Sequence, residues 1–539
     1  VASSDHSDTI GRNAPPSTSG GGVKRALVIT CALIVLAACA AQPETNTARG
    51  ARTTSKMEAE AMASVLRAGF GEIRDKGLVE LSTDELFLAG LTSIHQVDPG
   101  LRLEADDAAL RLTRAEQPTV AVKRPLENDL QGWVTATTEI LAHARKLSPI
   151  AAVAEPDAMY QFMFEGALAK IDAYSRYSGG RNARAARAVR NGFVGIGVDY
   201  DMVPGGAIIR AVIADGPAAR SGLKADDMIA TADNKSLVGQ SREGARRILA
   251  GPPDSTVKLS VFRPGEDRAL LIPVRRSLIV PRTVELTLDE GIAVIRVRSF
   301  NIRTSADVSQ AVADAKAQTN GGLQGLVLDL RGDPGGLLDQ AVDLSDLFLE
   351  GGTITTLTGR HPGAKQYYAA RPGDIAEGKP MVVLVDGKSA SSSEITAAAL
   401  ADNGRALIVG TNTLGKGSVQ TLIRLPNDGE IALTWAEVVT PGGYRMHGLG
   451  VLPAICTSDA DVSLAAIMER VYRREAPWRA LPEAWRTVER SAESTAKLRG
   501  LCPAQSRPDA EIDQALAVRV AADRALYAQA SSASLAASK

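Results

Sequence analysis

MVVLVDGKSASSSEITAAALAD, residues 381–402, is a strand, a turn of small residues and a helix written in succession. Met381-Val-Val-Leu-Val385 is an apolar run of strand length, and Ser392 to Asp402 has the Ala-rich composition of a helix. A small-residue turn from a strand into a helix exposes a hydroxyl at the helix N-terminus. Free backbone N–H groups and the helix dipole there favour a developing negative charge. Ser391-x-x-Glu394 also has the form of a capping box, and on this segment alone that structural device is the stronger reading.

The same alternation extends to either side. Ile292 to Val297 reads as a strand, Ser305 to Gln318 as a helix and Leu323 to Leu330 as a buried strand. Leu337 to Leu349 reads as a helix, and Ala406 to Val409 as a further strand. Strands alternating with helices predict βαβ units and an α/β core over 278–459. Two more segments of this core carry candidate chemistry. In Leu414-Gly-Lys-Gly-Ser-Val-Gln420 the lysine is flanked by glycines, which lets its side chain reach into a crowded site; a plain surface lysine is the alternative. Gly410-x4-Gly415-Lys416 comes close to a phosphate-binding loop, but Gly417 stands where Mg²⁺ needs a Ser or Thr, and Val419 to Ile423 reads as a strand, not a helix. Gln420 lies four residues beyond Lys416, on the same face if the segment is a strand. Leu328-Asp-Leu-Arg-Gly-Asp-Pro-Gly-Gly-Leu337 ends a buried strand in a Gly-rich turn. Its backbone N–H groups can approach a ligand closely, as an oxyanion hole; a tight strand-to-helix turn is the alternative.

Together these segments resemble the carboxyl-terminal processing (tail-specific) peptidases, serine peptidases with a crotonase-like α/β core. The family pattern Ser-Ala-Ser-Ala-Ser-Glu is matched by Ser389-Ala-Ser-Ser-Ser-Glu394, which makes Ser391 the nucleophile. The family's base, a Lys in Gly-Lys-Gly 25 residues later, falls on Lys416, and its supporting Gln on Gln420. The Arg-x-x-Pro-Gly-Gly turn falls on Arg331 to Gly336. Ser392 replaces the family's Ala, and Pro453-Ala454 its Pro-Asp. The resemblance implies that Lys416, made neutral by burial, takes the proton of Ser391 Oγ, with Gln420 orienting it. Backbone N–H groups at Ser392, Gly335 and Gly336 would hold the oxyanion. No histidine lies in any of the three segments, so a Ser-His-Asp arrangement has no evident base.

Upstream, 57–190 is mostly helical in pattern. Leu88-Ala-Gly-Leu-Thr-Ser-Ile94 and Phe164-Glu-Gly-Ala-Leu-Ala-Lys-Ile171 share an apolar–Gly–apolar centre, each followed by an aspartate (Asp98, Asp172). They read equally as a degenerate repeat of helices packing on one another and as two ordinary amphipathic helices. Over 191–277 the pattern turns β-rich, with a helix at Ser241 to Leu249, and Gly216-Pro-Ala-Ala-Arg-Ser-Gly-Leu-Lys-Ala-Asp-Asp-Met-Ile229 resembles a PDZ domain of the bacterial protease type. Asp226 stands where that family has Gly, so a strained turn is expected there. The resemblance implies capture of C-terminal carboxylates, with Gly195-Ile196-Gly197-Val198 as nest and strand, and hence protein substrates with apolar C-termini. The fold class expected is multidomain α/β (α+β): a helical N-terminal region, a β-rich PDZ domain, the crotonase-like core and a helical tail over 460–539.

Residues 1–39 read as a disordered leader and an export signal: Lys24-Arg25, the apolar run Ala26 to Ala38, then Cys39. That run is too short to span a membrane. Leu36-Ala-Ala-Cys39 resembles the bacterial lipobox, which implies lipidation at Cys39, a periplasmic, membrane-anchored protein with the outer membrane favoured by Ala40, and a polar tether over 40–56. Cys31 lies in the apolar run, which leaves Cys456 and Cys502 as residues that an oxidising compartment would let pair. No two cysteines have metal-ligand spacing, and neither metal nor cofactor is expected. Of 539 residues 45% are hydrophobic and 23% charged, enough for about three domains with cores of their own. A net charge of −1 and only 4% aromatic residues give no case for a nucleic-acid partner. Two other functions stay in view: a non-catalytic tail-binding scaffold on the same fold, and crotonase-like acyl chemistry on a small thioester.

Overall fold

The computed structural model describes residues 45–115, 117–458, 463–473, 485 and 491–535; the leader and Cys39 lie outside them. Thr45–Lys76 is one helix, so the tether expected over 40–56 is helical from Thr45 onward. Residues 58–539 form a single compact unit, and the architecture below is theirs.

Its core is a six-stranded sheet in the order Val284–Asp289, Ile292–Val297, Gly325–Asp329, Met381–Val385, Leu407–Gly410, Ile455–Cys456. The first two strands pair antiparallel and the rest parallel. Parallel strands covered on both faces read as continuous apolar runs, and all five residues of Met381–Val385 are buried. One face packs on Val308 and Val312 of helix Thr304–Gln318 and Leu344 of helix Leu338–Asp346. The other, with Val327, Val382 and Leu384, packs on Leu516, Ala517 and Val520 of helix Glu511–Ala522. The C-terminal segment is therefore a layer of the core, each buried Leu or Val side chain contributing about 1.5–3 kcal/mol. Cys456 and Cys502 form a disulfide that ties the last strand to this segment. Closing a separation of 46 residues contributes about 4 kcal/mol on the chain-entropy account.

A second sheet runs Gln366–Ala369, Thr353–Thr358, Glu430–Val439, Ser418–Arg424. It takes one short strand, Arg176–Ser178, from far upstream, paired antiparallel with Glu430–Val439. The N-terminal region differs from the mostly helical expectation. Beside helices Thr83–Thr92, Leu130–Leu147 and Pro156–Leu168 it holds a three-stranded antiparallel sheet, Leu101–Ala105, Ala109–Arg114 and Val120–Lys123. Buried Leu101 and Leu103, and Leu110 and Leu112, alternate with less buried neighbours at the strand period. Strands this short show too little alternation to stand out between long helical patterns. The two similar helices pack against each other through their glycines. A Cβ on Gly90 would lie 2.6 Å from Met163 O, and one on Gly166 2.4 Å from Ala89 O. Asp98 and Asp172 then close matching turns, each accepting the N–H two residues on.

The PDZ-like segment has a sheet ordered Leu270–Arg275, Thr256–Phe262, Met228–Ala232, Gly206–Val212, Val198–Val203, with helix Arg242–Leu249. Asp226 takes φ 68°, the left-handed conformation that the family's glycine would adopt freely and that aspartate tolerates better than most residues. Phe193–Gly195 pairs with Ser277–Ile279, so the segment leaves and rejoins the chain through one ribbon.

Candidate active site

The turn before helix Ser392–Asp402 is fixed by its own polar groups. Asp386 Oδ1 accepts from the N–H groups of Lys388, Ser389 and Gly332, which binds this turn to the Gly-rich one. Ser389 Oγ donates to Leu330 O at 2.8 Å and Ser393 Oγ to Asp333 O at 3.1 Å. Ser389 and Ser393, two residues to either side of the candidate nucleophile, are thus structural. Ser391 adopts φ 56° and ψ −112°. Such a conformation costs a non-glycine residue on the order of 1–3 kcal/mol and persists only where the surroundings impose it. Its N–H donates to Glu394 Oε2 at 2.8 Å, one bond of the capping box. Ser392, the first residue of the helix, is buried and its N–H has no partner within the helix.

The Gly-rich turn lies against this helix start. A Cβ on Gly335, at φ 92°, would meet Ser392 N at 2.9 Å and Ser391 Cβ at 3.0 Å. A Cβ on Gly336 would fall 2.0 Å from Phe300 O. Only glycine permits either approach. One expectation changes here. The Gly335 N–H donates to Asp333 Oδ1 at 2.7 Å and is not offered to an oxyanion. That acceptor already takes the donor, so Ser392 and Gly336 remain as the backbone donors. Arg331 is buried in a paired bond with Asp329 and is structural.

Asp333 is itself unusual. Burial raises its pKa to about 8, opposed by the Gly335 N–H, and Oδ2 has no partner. Below about pH 4 the folded and unfolded chains both hold this proton. Between about 4 and 8 only the folded chain keeps it, so stability falls as pH rises, by roughly 1 kcal/mol per pH unit. Asp333→Asn is expected to remove that slope: its stability relative to wild type should grow between pH 5 and pH 8 in urea unfolding. Parallel curves at both pH values would refute it.

Lys416 precedes strand Ser418–Arg424 and is half-buried. Desolvation lowers its pKa, and the Arg176 charge adds to this, against Asp172 and Glu394. Its Nζ lies 5.5 Å from the centroid of the Tyr174 ring and, among the described residues, makes no ion pair. Ser391 and Lys416 are joined through Glu394 Oε2, which also accepts the Lys416 N–H at 2.9 Å. Gln420 stands on the strand, but its Nε2 donates to Ser418 Oγ and Thr434 Oγ1, at 3.1 and 3.0 Å, and not to Lys416.

In the PDZ-like segment, Gly195 ends the ribbon strand, Ile196 is buried, Gly197 takes φ 80° and Val198 opens the edge strand of the sheet. An edge strand presents unpaired N–H and C=O groups to an added chain.

The family model described as "Peptidase family S41" matches residues 291–457, and one described as "PDZ domain" matches 194–274. A carboxy-terminal-processing protease of Bartonella bacilliformis is 37% identical over 292 residues, 54% of this chain and 67% of the relative. The chain belongs to the carboxyl-terminal processing peptidases. A second family member, the carboxyl-terminal-processing protease of Picosynechococcus, is 31% identical over 55% of this chain and 72% of the relative. The solved photosystem II D1 C-terminal processing protease is 27% identical and covers 60% of this chain and 89% of its own, with a TM-score of 0.32. The peptidase is thus serine-type, with a PDZ domain set into it, and the expected fold class is borne out.

Sequence reasoning missed three residues of this site. Glu394 was read as a cap and as the end of the family pattern, with no role in the site; Asp386 and Tyr174 were not singled out. Glu394 and Asp386 did carry a signal, since each is a carboxylate within five residues of Ser391 in a segment otherwise made of small residues and a lysine. Tyr174 carried none, because it reaches Lys416 across more than 240 residues of chain.

Proposed function

We propose that this peptidase is an endopeptidase with a Ser391–Lys416 dyad that cleaves exported proteins held by their C-terminal tails. The observation that carries the reading is the meeting of a strained serine, a desolvated lysine and a glycine turn at one helix N-terminus. Lys416, neutral, takes the proton of Ser391 Oγ as it attacks the scissile carbonyl. The N–H groups of Ser392 and Gly336 hold the oxyanion. Lys416 returns the proton to the leaving amine, and water then releases the acyl group. Gln420, with its amide nitrogen committed to two hydroxyls, has its carbonyl oxygen left to orient the ammonium.

The tail is taken up at the edge strand Val198–Val203, its carboxylate in the turn Gly195–Val198, which suits apolar C-termini. A substrate lacking its last few residues is expected to show a kcat/KM about 10- to 100-fold lower, mostly through KM. Proteolysis of the intact and shortened substrates, with Ser391→Ala and Lys416→Ala as controls, checks this. Equal rates for the two substrates would remove the tail from the mechanism, and loss of intact substrate no faster than with Ser391→Ala would favour the scaffold.

The lipobox-like Leu36-Ala-Ala-Cys39 and the Cys456–Cys502 disulfide support a periplasmic, lipid-anchored location. Labelling with a palmitate analogue is expected to mark wild type and not Cys39→Ala; equal labelling of both sinks the anchor.

A further inference from the structure

One carboxylate links the helix of the nucleophile to the loop of the base. Glu394 is fully buried. Its Oε2 accepts from the N–H groups of Ser391 and Lys416, at 2.8 and 2.9 Å. Its Oε1 accepts from the Gly415 N–H at 2.7 Å and from the Thr413 hydroxyl. A helix cap needs only the first of these bonds; the other three reach a segment 19 to 22 residues away. Four donors fill the four lone-pair directions of a carboxylate. Three of them are backbone N–H groups, which cannot accept a proton in return. Thr413 Oγ1 already accepts the Val451 N–H at 2.8 Å and turns its own proton to Glu394. Burial pushes the pKa of Glu394 up, but a shell made only of donors favours its charged form.

We propose that Glu394 is the positioning residue of the Ser391–Lys416 pair: an ionised carboxylate that fixes both main chains on one group and, by its charge, sets the pH at which Lys416 loses its proton. This rests on the Ser–Lys reading of the site. The Ser391 N–H bond is one of the constraints on a residue held at φ 56°. Several other charged or titratable groups face the pair. Asp172, Tyr174 and Arg176 come from the segment entering strand Arg176–Ser178, with Tyr174 under Lys416 and His447 against Tyr174. Arg499 donates to Thr413 O at 3.0 Å and lies by the Gly415 turn. Glu394 and Asp172 stabilise the ammonium of Lys416, and Arg176 opposes them.

The test is sulfonylation of Ser391 by phenylmethylsulfonyl fluoride in the full chain, in which Oγ gives up its proton and displaces fluoride from sulfur, followed from about pH 6 to 10. Glu394→Gln keeps the size but turns an NH₂ toward donors and removes the charge. Its rate is expected to fall about 100-fold. The low-pH limb should also move to lower pH, so that the ratio of rates at pH 9 and pH 6.5 drops at least about threefold. A lower rate with the limb unmoved would mark a merely structural residue and overturn the proposal, as would wild-type rates. If Glu394→Gln does not fold, Thr413→Val carries the test. It should be sulfonylated about tenfold slower, with Thr413→Ser restoring the rate to within about twofold; a wild-type rate in Thr413→Val overturns the clamp. Lys416→Ala separates the two ideas. An unchanged pH profile in that variant means that the dyad fails, whereas a lost limb there beside an unmoved one in Glu394→Gln means that only the role of Glu394 fails.

Discussion

Ser391→Ala is expected to lower kcat/KM at least about 10⁴-fold toward any cleaved substrate, with the folded structure unchanged. The hydroxyl is the only group that the substitution removes. Alanine at a positive φ adds strain of the kind serine already bears there, and the Ser391 N–H bond to Glu394 does not involve the side chain. The hydroxyls two residues to either side cannot stand in, because Ser389 Oγ is committed to Leu330 O and Ser393 Oγ to Asp333 O. Hydrolysis of a peptide substrate, set beside thermal unfolding of the same preparation, checks the claim. Residual activity within about 100-fold of wild type would mean that another group attacks.

Lys416→Ala is expected to lower kcat/KM about 10³-fold and to flatten its dependence on pH. A lysine acts as a base only when neutral, so activity should rise with pH through its pKa and then level off. Desolvation moves that limb below the range of an exposed lysine, whose pKa is about 10.4, and the Arg176 charge helps. Arg176→Gln should therefore shift the wild-type limb back toward higher pH, an effect softened by the exposure of that side chain. A pH–rate profile of the three proteins decides it. A Lys416→Ala enzyme that keeps the limb would show that it belongs to another group.

Local patterns made the α/β core and the three site segments legible in the sequence. Met381–Val385 and Ser392–Asp402 have in the structure the bounds that their composition suggests, since an apolar run and an Ala-rich run each need only their own residues to be recognised. Asp226 was legible as a misfit for the same reason. What could not be read depends on pairs distant in the chain. Nothing near Gly335 says that Asp333 will take its N–H, although the two are neighbours, because the choice turns on a burial that only the folded chain creates. Gln420 was placed by parity with Lys416, yet Thr434 and Ser418 claim its amide. The reach of Glu394 to Thr413, Gly415 and Lys416 likewise has no local signature. The Leu101–Lys123 sheet was missed through scale, its strands being shorter than one amphipathic helical turn pair.

The strand Arg176–Ser178 has a consequence for the order in which the chain is made. It finds its partner only at Ile431 and neighbouring residues, and the core of the N-terminal region includes Ile423, Leu425, Ile431 and Leu433. The first third of the protein therefore cannot finish its own interior until more than 400 residues have been synthesised. The PDZ domain, with both ends in one ribbon, has no such debt and can fold while that wait lasts. Long-range closure of this kind is slow and leaves open in the meantime the apolar surface that Ile423, Leu425, Ile431 and Leu433 cover. Vectorial refolding should show the PDZ domain protected early and the N-terminal helices late.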